Sequence, residues 1–299
     1  MILFILATAC ALPDFTQEWL VDRTRVLAIQ AEPPEAASGQ LVTLSALVVD
    51  PNGEPEAAWV ACTMPVDCPD FEAVQSLAAA DTSAMSAEEL AAWQADAAAA
   101  GFLGFGAGLS PTLVVSGVGA PPGDTGIPDT GLRDTADTAS TDSGSVSMGS
   151  ELVLIVDALP VGKALGDVTL GDPKATEVAS KGLTVSDSAT PNQNPGVASL
   201  TVDGDDAATV SRGSSASLKA TLTDGSAESY LDEDGETQTE EPTVSYYVAA
   251  GSLMQSSAAA DEPEVSWTAP ESAGTVNVWV VVRDGRGGMS WASATVMVE

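Results

Sequence analysis

The chain has 299 residues, with 43 acidic residues against 10 Lys and Arg, and a formal net charge of −33. It contains no histidine, which removes the commonest general base, any Ser-His-Asp or Cys-His apparatus and every His-containing metal site. Aromatic residues make up only 5%, so its cores must be aliphatic, and a pI near 4.1 argues against binding nucleic acid phosphates or an anionic lipid surface.

Length allows roughly two domains of about 150 residues. At the start, Ile2 to Ala9 form an uncharged run ahead of Cys10. The run is far shorter than the roughly 20 residues of a membrane-spanning helix and suits the apolar region of a signal peptide. Leu6-Ala7-Thr8-Ala9-Cys10 resembles a bacterial lipobox, although Ala7 stands where that pattern prefers Leu. The resemblance implies lipidation of Cys10, with residues 1–22 as signal, anchor and spacer. Ala11, in place of the Asp used for inner-membrane retention, implies the outer membrane or cell surface. The alternative is an ordinary signal peptide cut after Ala9 and a secreted or periplasmic protein. Cys62 and Cys68 are then an even pair, which suggests a disulfide in an exported protein.

From Arg25 the text turns to strands. Val26 to Ile29 is a short apolar run, broken at Pro33-Pro34. Val42, Leu44, Ala46 and Val48 share one period-2 face. Asp50-Pro51-Asn52-Gly53 is a turn, and Ala57 to Ala61 is a strand carrying Trp59. This is the order of the first half of an immunoglobulin-like sandwich. The pattern then breaks for an insertion at about 62–150. Ser86 and Glu89 form a capping box for a helix over about 87–100, with Leu90, Trp93 and Ala97 on one face and Gly101 as its stop. Trp93 is expected to pack onto the sandwich. Gly104 to Gly108 lacks the Lys-Ser/Thr ending of a phosphate loop and reads as a flexible return into Leu113 to Val115. Residues 120–150 repeat Asp-Thr units with few large apolar residues, and so read as disordered.

Leu152 to Val156 and Gly182 to Val185 complete the first unit, residues 23–190. After Pro191 to Pro195 a second unit spans 195–299, with about seven strands, the count of an immunoglobulin-like sandwich. Among them Val276, Val278, Val280 and Val282 alternate along a long strand. Asp284-Gly285-Arg286-Gly287-Gly288 turns it into a hairpin with Trp291 to Val298. Tyr246 and Tyr247 point to opposite sheet faces, one of them outward. Trp267, Trp279 and Trp291 read as core or sheet-face residues. The expected fold is therefore all-β, two such sandwiches in tandem, the first carrying a helical and disordered insertion.

The segments Trp267 to Pro270, Ala273 to Val276 and Val280 to Gly288 resemble bacterial PKD-like and other Ig-like repeats. Asp22 to Pro34 resembles the opening of bacterial surface lipoproteins that carry tandem Ig-like domains. These resemblances imply architecture and a cell-envelope location, with no chemistry attached.

The densest charge lies from Asp224 to Glu241. Asp232, Asp234 and Glu236, with Gly235 for a bend, are the residues that suit a calcium loop, although Thr237 stands where the twelve-residue EF-hand loop has Gly. The bland alternative is a solvated acidic loop and no cofactor. Three functions follow. The first is a non-enzymatic, lipid-anchored envelope protein whose loops contact a protein or glycan, with the membrane reached through Cys10. The second is a calcium-stabilised adhesion module. The third is a hydrolase assembled from loop carboxylates.

Overall fold

The computed structural model describes residues 17–63, 71–115, 150–206, 208–232 and 234–299. Cys10, Cys68, Glu233 and the Asp-Thr repeats lie outside the described residues. The fold is all-β, in two immunoglobulin-like sandwiches.

The first sandwich holds β1 (Arg25–Glu32), β2 (Glu35–Ala36), β3 (Leu41–Val49), β4 (Glu56–Thr63), β5 (Phe102–Ala107), β6 (Thr112–Val114), β7 (Ser150–Ala158) and β8 (Glu177–Val185). One sheet runs β1-β3-β6 and the other β2-β8-β7-β4-β5. The period-2 residues do what alternation requires. Val42 and Leu44 from one sheet meet Trp59, Leu154, Val156 and Leu183 from the other in a shared core.

The opposite face of β4 and β7 is apolar as well, through Ala58, Val60 and Ile155. Helices α1 (Phe71–Ala78) and α2 (Ala87–Ala99) supply residues that cover it. Ser86 Oγ accepts the Glu89 amide at 3.3 Å and Glu89 Oε2 accepts the Ser86 amide at 2.8 Å, so the capping box forms. Trp93 meets Phe102 edge to face at 6.3 Å and donates its indole N–H to the Leu77 carbonyl. Gly101 ends the helix at φ +65°, where an added Cβ would stand 2.0 Å from the Ala61 carbonyl oxygen. Only glycine fits so close a backbone approach.

The insertion expected over 62–150 therefore differs in two ways. It carries a second helix, α1, and part of it belongs to the sandwich. Phe102–Ala107 pairs with β4, and Thr112–Val114 pairs with β3. The glycines at 104 and 106 disguised a strand as a flexible return. They sit within it at φ near +150°, a conformation that L side chains rarely adopt.

The second sandwich holds β9 (Val197–Val202), β10 (Thr209–Val210), β11 (Ser215–Leu222), β12 (Ser229–Leu231), β13 (Thr237–Thr239), β14 (Thr243–Val248), β15 (Ser252–Leu253), β16 (Ser257–Ala259), β17 (Glu264–Thr268), β18 (Gly274–Arg283) and β19 (Met289–Val298). Its sheets run β9-β11-β17-β15 and β10-β19-β18-β14-β16, with β12 and β13 as a separate hairpin. Val276, Val278, Val280 and Val282 line its core with Tyr246, Trp267 and Leu218. The Tyr246 hydroxyl donates to the Pro263 carbonyl and accepts the Ala220 amide. Its burial pushes the phenol up to about 12.

Both units share one topology. β1, β3 and β6 correspond to β9, β11 and β17. β2, β8, β7, β4 and β5 correspond to β10, β19, β18, β14 and β16. In each, the short second strand pairs parallel with the last one, β2 with β8 and β10 with β19. The helices enter between β4 and β5.

The two units meet in an apolar seam. Leu27, Ala28 and Val49 of the first pack with Trp279 and Val281 of the second, and Val21 joins them. Tyr247 and Trp291 flank the seam, so Tyr247, expected to be exposed or core, faces the neighbouring unit. The stretch ahead of β1 is not a free spacer throughout. Val248 donates to the Trp19 carbonyl at 3.0 Å and accepts the Val21 amide at 2.9 Å. This short strap ties the start of the described chain to the second sandwich.

Candidate functional site

The hairpin turn Asp284–Gly288 is where the chain's scarce cations collect. Asp284 is buried and accepts the Arg286 amide at 2.7 Å, the Gly288 amide at 2.9 Å and the Asn192 side chain at 2.9 Å. Lys181, on β8 of the first unit, donates to the Gly287 carbonyl. Burial brings its pKa down to about 8; Arg283 adds to that fall and Asp284 opposes it. Asn194 bridges in the same region. Its amide N–H groups reach the Ala31 carbonyl and Glu32, and its oxygen accepts the Met289 amide.

Arg286 is the hub. Its guanidinium lies 2.9 Å from Glu240, 3.9 Å from Glu35 and 3.9 Å from Glu228, and 4.2 Å from the centre of the Tyr230 ring. Loop carboxylates do converge here, as a hydrolase would need. They converge on a cation that satisfies them, in a junction that closes one unit against the other. In the sequence, Asp284 to Gly288 reads as a turn. Its partners lie on other elements, Lys181 and Glu35 in the first unit, Asn192 in the linker, and no local pattern announces them.

Asp232, Asp234 and Glu236 sit at the tip of the β12–β13 hairpin. Asp232 Oδ1 accepts the amides of Asp234 and Glu236 at 3.0 and 2.8 Å, and Oδ2 accepts Gln238 at 2.8 Å. Those bonds, led by the one from Gln238, hold its carboxyl below the usual range. The acidic residue expected to lead a calcium loop thus caps its own turn. Among the described residues, no group of three or more Cys, Asp or Glu is arranged to hold a metal ion. Cys62 is buried and disulfide-bonded. Asp157, on β7, is fully buried. Its Oδ2 accepts the Gly171 amide, and burial raises its pKa against the opposing pull of the Thr176 hydroxyl and the Gly171 amide.

Two clefts of about 960 Å³ each flank strand β16. They share Ala258, Ala259 and Asp261. The first is edged by Asp203, Glu262, Glu264 and Met254, whose side chain is 88% exposed. The second is edged by Glu241 and by the turn at Thr223 to Ala227. β16 is the last strand of its sheet.

No protein-family model matches the sequence, and no curated protein matches it. Solved structures do. A nucleoside hydrolase-related hypothetical protein from Saccharophagus degradans, associated with carbohydrate metabolism, is 14% identical over 40% of this chain at a TM-score of 0.26. This chain spans 35% of that one, about a third of its length. The FN1–FN3 domains of chicken CNTN1 are 7% identical over 95% of this chain and 70% of theirs, at 0.24. The two tandem V-type regions of VCBP3, a v-region-containing chitin binding protein, are 12% identical over 91% of this chain and 98% of theirs, at 0.30. At such TM-scores these likenesses carry no argument about activity. The immunoglobulin-like assignment rests on strand order alone.

Proposed function

We propose that the protein is a non-enzymatic binding module of the cell envelope, exported, anchored by a lipid on Cys10 and stiffened by a disulfide between Cys62 and Cys68. The observation that carries the binding role is the junction. An apolar seam and a cation-centred lock join two sandwiches, so that the second presents open clefts from a composite arm. The acids withdrawn from water in that junction serve it: Glu35 and Glu240 hold Arg286, and Asp284 holds its own turn. The strongly negative surface keeps such an arm soluble and repelled from anionic lipid. Loops and edges then meet a protein or glycan partner.

The test is metabolic labelling with a clickable palmitate analogue, followed by membrane fractionation, for the wild type and Cys10→Ser. Label and membrane association lost together in the variant support the anchored reading. A soluble, unlabelled wild type overturns the anchor and leaves a secreted or periplasmic binding module.

A further inference from the structure

The edge of β16 offers backbone groups that no neighbouring strand takes. Its register with β14 pairs Ser245 with Ser257, Val244 with Ala258 and Thr243 with Ala259. Tyr246 N–H donates to the Ser256 carbonyl at 2.7 Å. Because antiparallel ladders alternate bonded and non-bonded pairs, residues 256 and 258 bond inward. Ser257 and Ala259 therefore turn their backbone groups away from β14. The Ala259 carbonyl is used by the Glu262 amide at 3.2 Å. The Ser257 N–H and C=O and the Ala259 N–H face the open side.

Natural sheet edges are commonly guarded by lysine, proline or a bulge. Ser257-Ala258-Ala259 has none of these, and its small side chains leave room on both faces, where the two clefts lie. Around them stand the carboxylates of Asp203, Glu241, Asp261, Glu262 and Glu264, besides Glu240, which Arg286 takes, with Lys219 as the single cation of the lining, 3.9 Å from Glu264. Met254 adds an exposed apolar contact beside the same edge.

We infer that β16 is a strand-addition site for an extended segment of another protein that alternates basic and apolar residues. The backbone of the guest would continue the ladder from Ser257 and Ala259. Its Lys or Arg side chains would meet the five carboxylates, and an apolar side chain would lie against Met254. A second copy of this chain is disfavoured as guest, because it brings the same acids to the same edge. The inference rests on the binding-module reading and names the partner's chemistry.

The test uses the full chain and a labelled seven-residue peptide of alternating Lys and Val, with a Glu-Val peptide as control. Three variants are compared. Ser257→Pro removes an outward N–H while keeping every charge. Ala259→Lys places a cation on the edge. Asp232→Ala removes an acid that lines neither cleft. Expected are Lys-Val binding by the wild type and by Asp232→Ala, a loss of at least tenfold in Ser257→Pro and Ala259→Lys, and slowed exchange of the Ser257 and Ala259 amides in the complex. The Glu-Val peptide should not bind. Near-ultraviolet circular dichroism checks that both edge variants remain folded. If Ser257→Pro misfolds, Ala259→Lys and the exchange data decide. Equal binding by all variants means general charge attraction and overturns the inference, as does no binding by the wild type. A wild-type dimer in sedimentation that Ser257→Pro dissolves assigns the edge to a second copy and overturns it too. Each of these failures leaves the Cys10 labelling result untouched, so the two readings fail separately.

Discussion

Trp279→Ala probes the seam most directly. Trp279 is 8% exposed and packs with Leu27, Ala28 and Val49 across the junction. A tryptophan buries roughly 150–250 Å², which at about 25 cal/mol per Å² is roughly 4–6 kcal/mol. Truncations of buried Trp to Ala cost about 3–5 kcal/mol. At about 2–4 °C per kcal/mol for a cooperative unit of 150 residues or more, as the two sandwiches make together, the melting temperature should fall on the order of 10 °C. The shape of the transition matters more than its position. With the seam intact the two sandwiches should unfold together. With Trp279 removed, the calorimetric trace should split into two transitions, because much of the apolar contact between the units has gone. Trp267→Ala is the control. Trp267 lies wholly in the second core, so it lowers that unit's stability without separating the units first. A Trp279→Ala trace that stays single and shifts by less than about 2 °C would refute the reasoning.

Lys181 makes stability depend on pH. Its folded pKa of about 8 lies below the ordinary lysine value of 10.5, so the unfolded chain binds more protons between those values and stability rises with pH there. Urea unfolding should show a gain of about 2 kcal/mol between pH 8 and 9.5, missing in Lys181→Met; a flat wild-type profile contradicts this. Asp157 acts with the opposite slope at low pH. Its folded pKa is raised above 3.8, so its contribution is complete below that value and is lost as pH rises through the raised pKa. Asp157→Asn should flatten that limb and match or exceed the wild type at pH 7, as read by thermal melts across pH 3–7. Asp232 caps its hairpin with both oxygens, so millimolar calcium should leave the melting temperature within about 1 °C; a rise of several degrees that Asp232→Ala abolishes would establish the calcium loop instead.

The strand alternation carried much of the fold. Val42 and Leu44, and Val276 to Val282, sit on the faces that period 2 assigns them. Distant strand partners such as Leu154 for Ala61 were legible too, but the contacts between the two units were not. Trp279 and Val281 lie between core-facing valines, on the face that alternation leaves to water, and they are buried because another unit lies there. The unbroken Val280-Val281-Val282 was a hint, since strands covered on both faces lose their alternation. β5 was hidden by Gly104 and Gly106, which read as loop although the strand uses their unusual φ. The acidic run from Asp224 to Glu241 suggested a metal loop. In space Glu228 and Glu240 answer to Arg286, nearly fifty residues beyond Glu240, and Asp232 answers to its own backbone.

The strap at Trp19 to Val21 decides where mechanical load enters. Tension on the chain ahead of the strap reaches Val248 of the second sandwich before it reaches β1 of the first. The two backbone bonds to Val248 lie in series with that pull and must part before the first sandwich is stretched. The seam and the Arg286 lock still join the two units after the strap has parted. An arm tethered in this way would resist steadily up to the parting of the strap, lengthen by a few residues, and resist again.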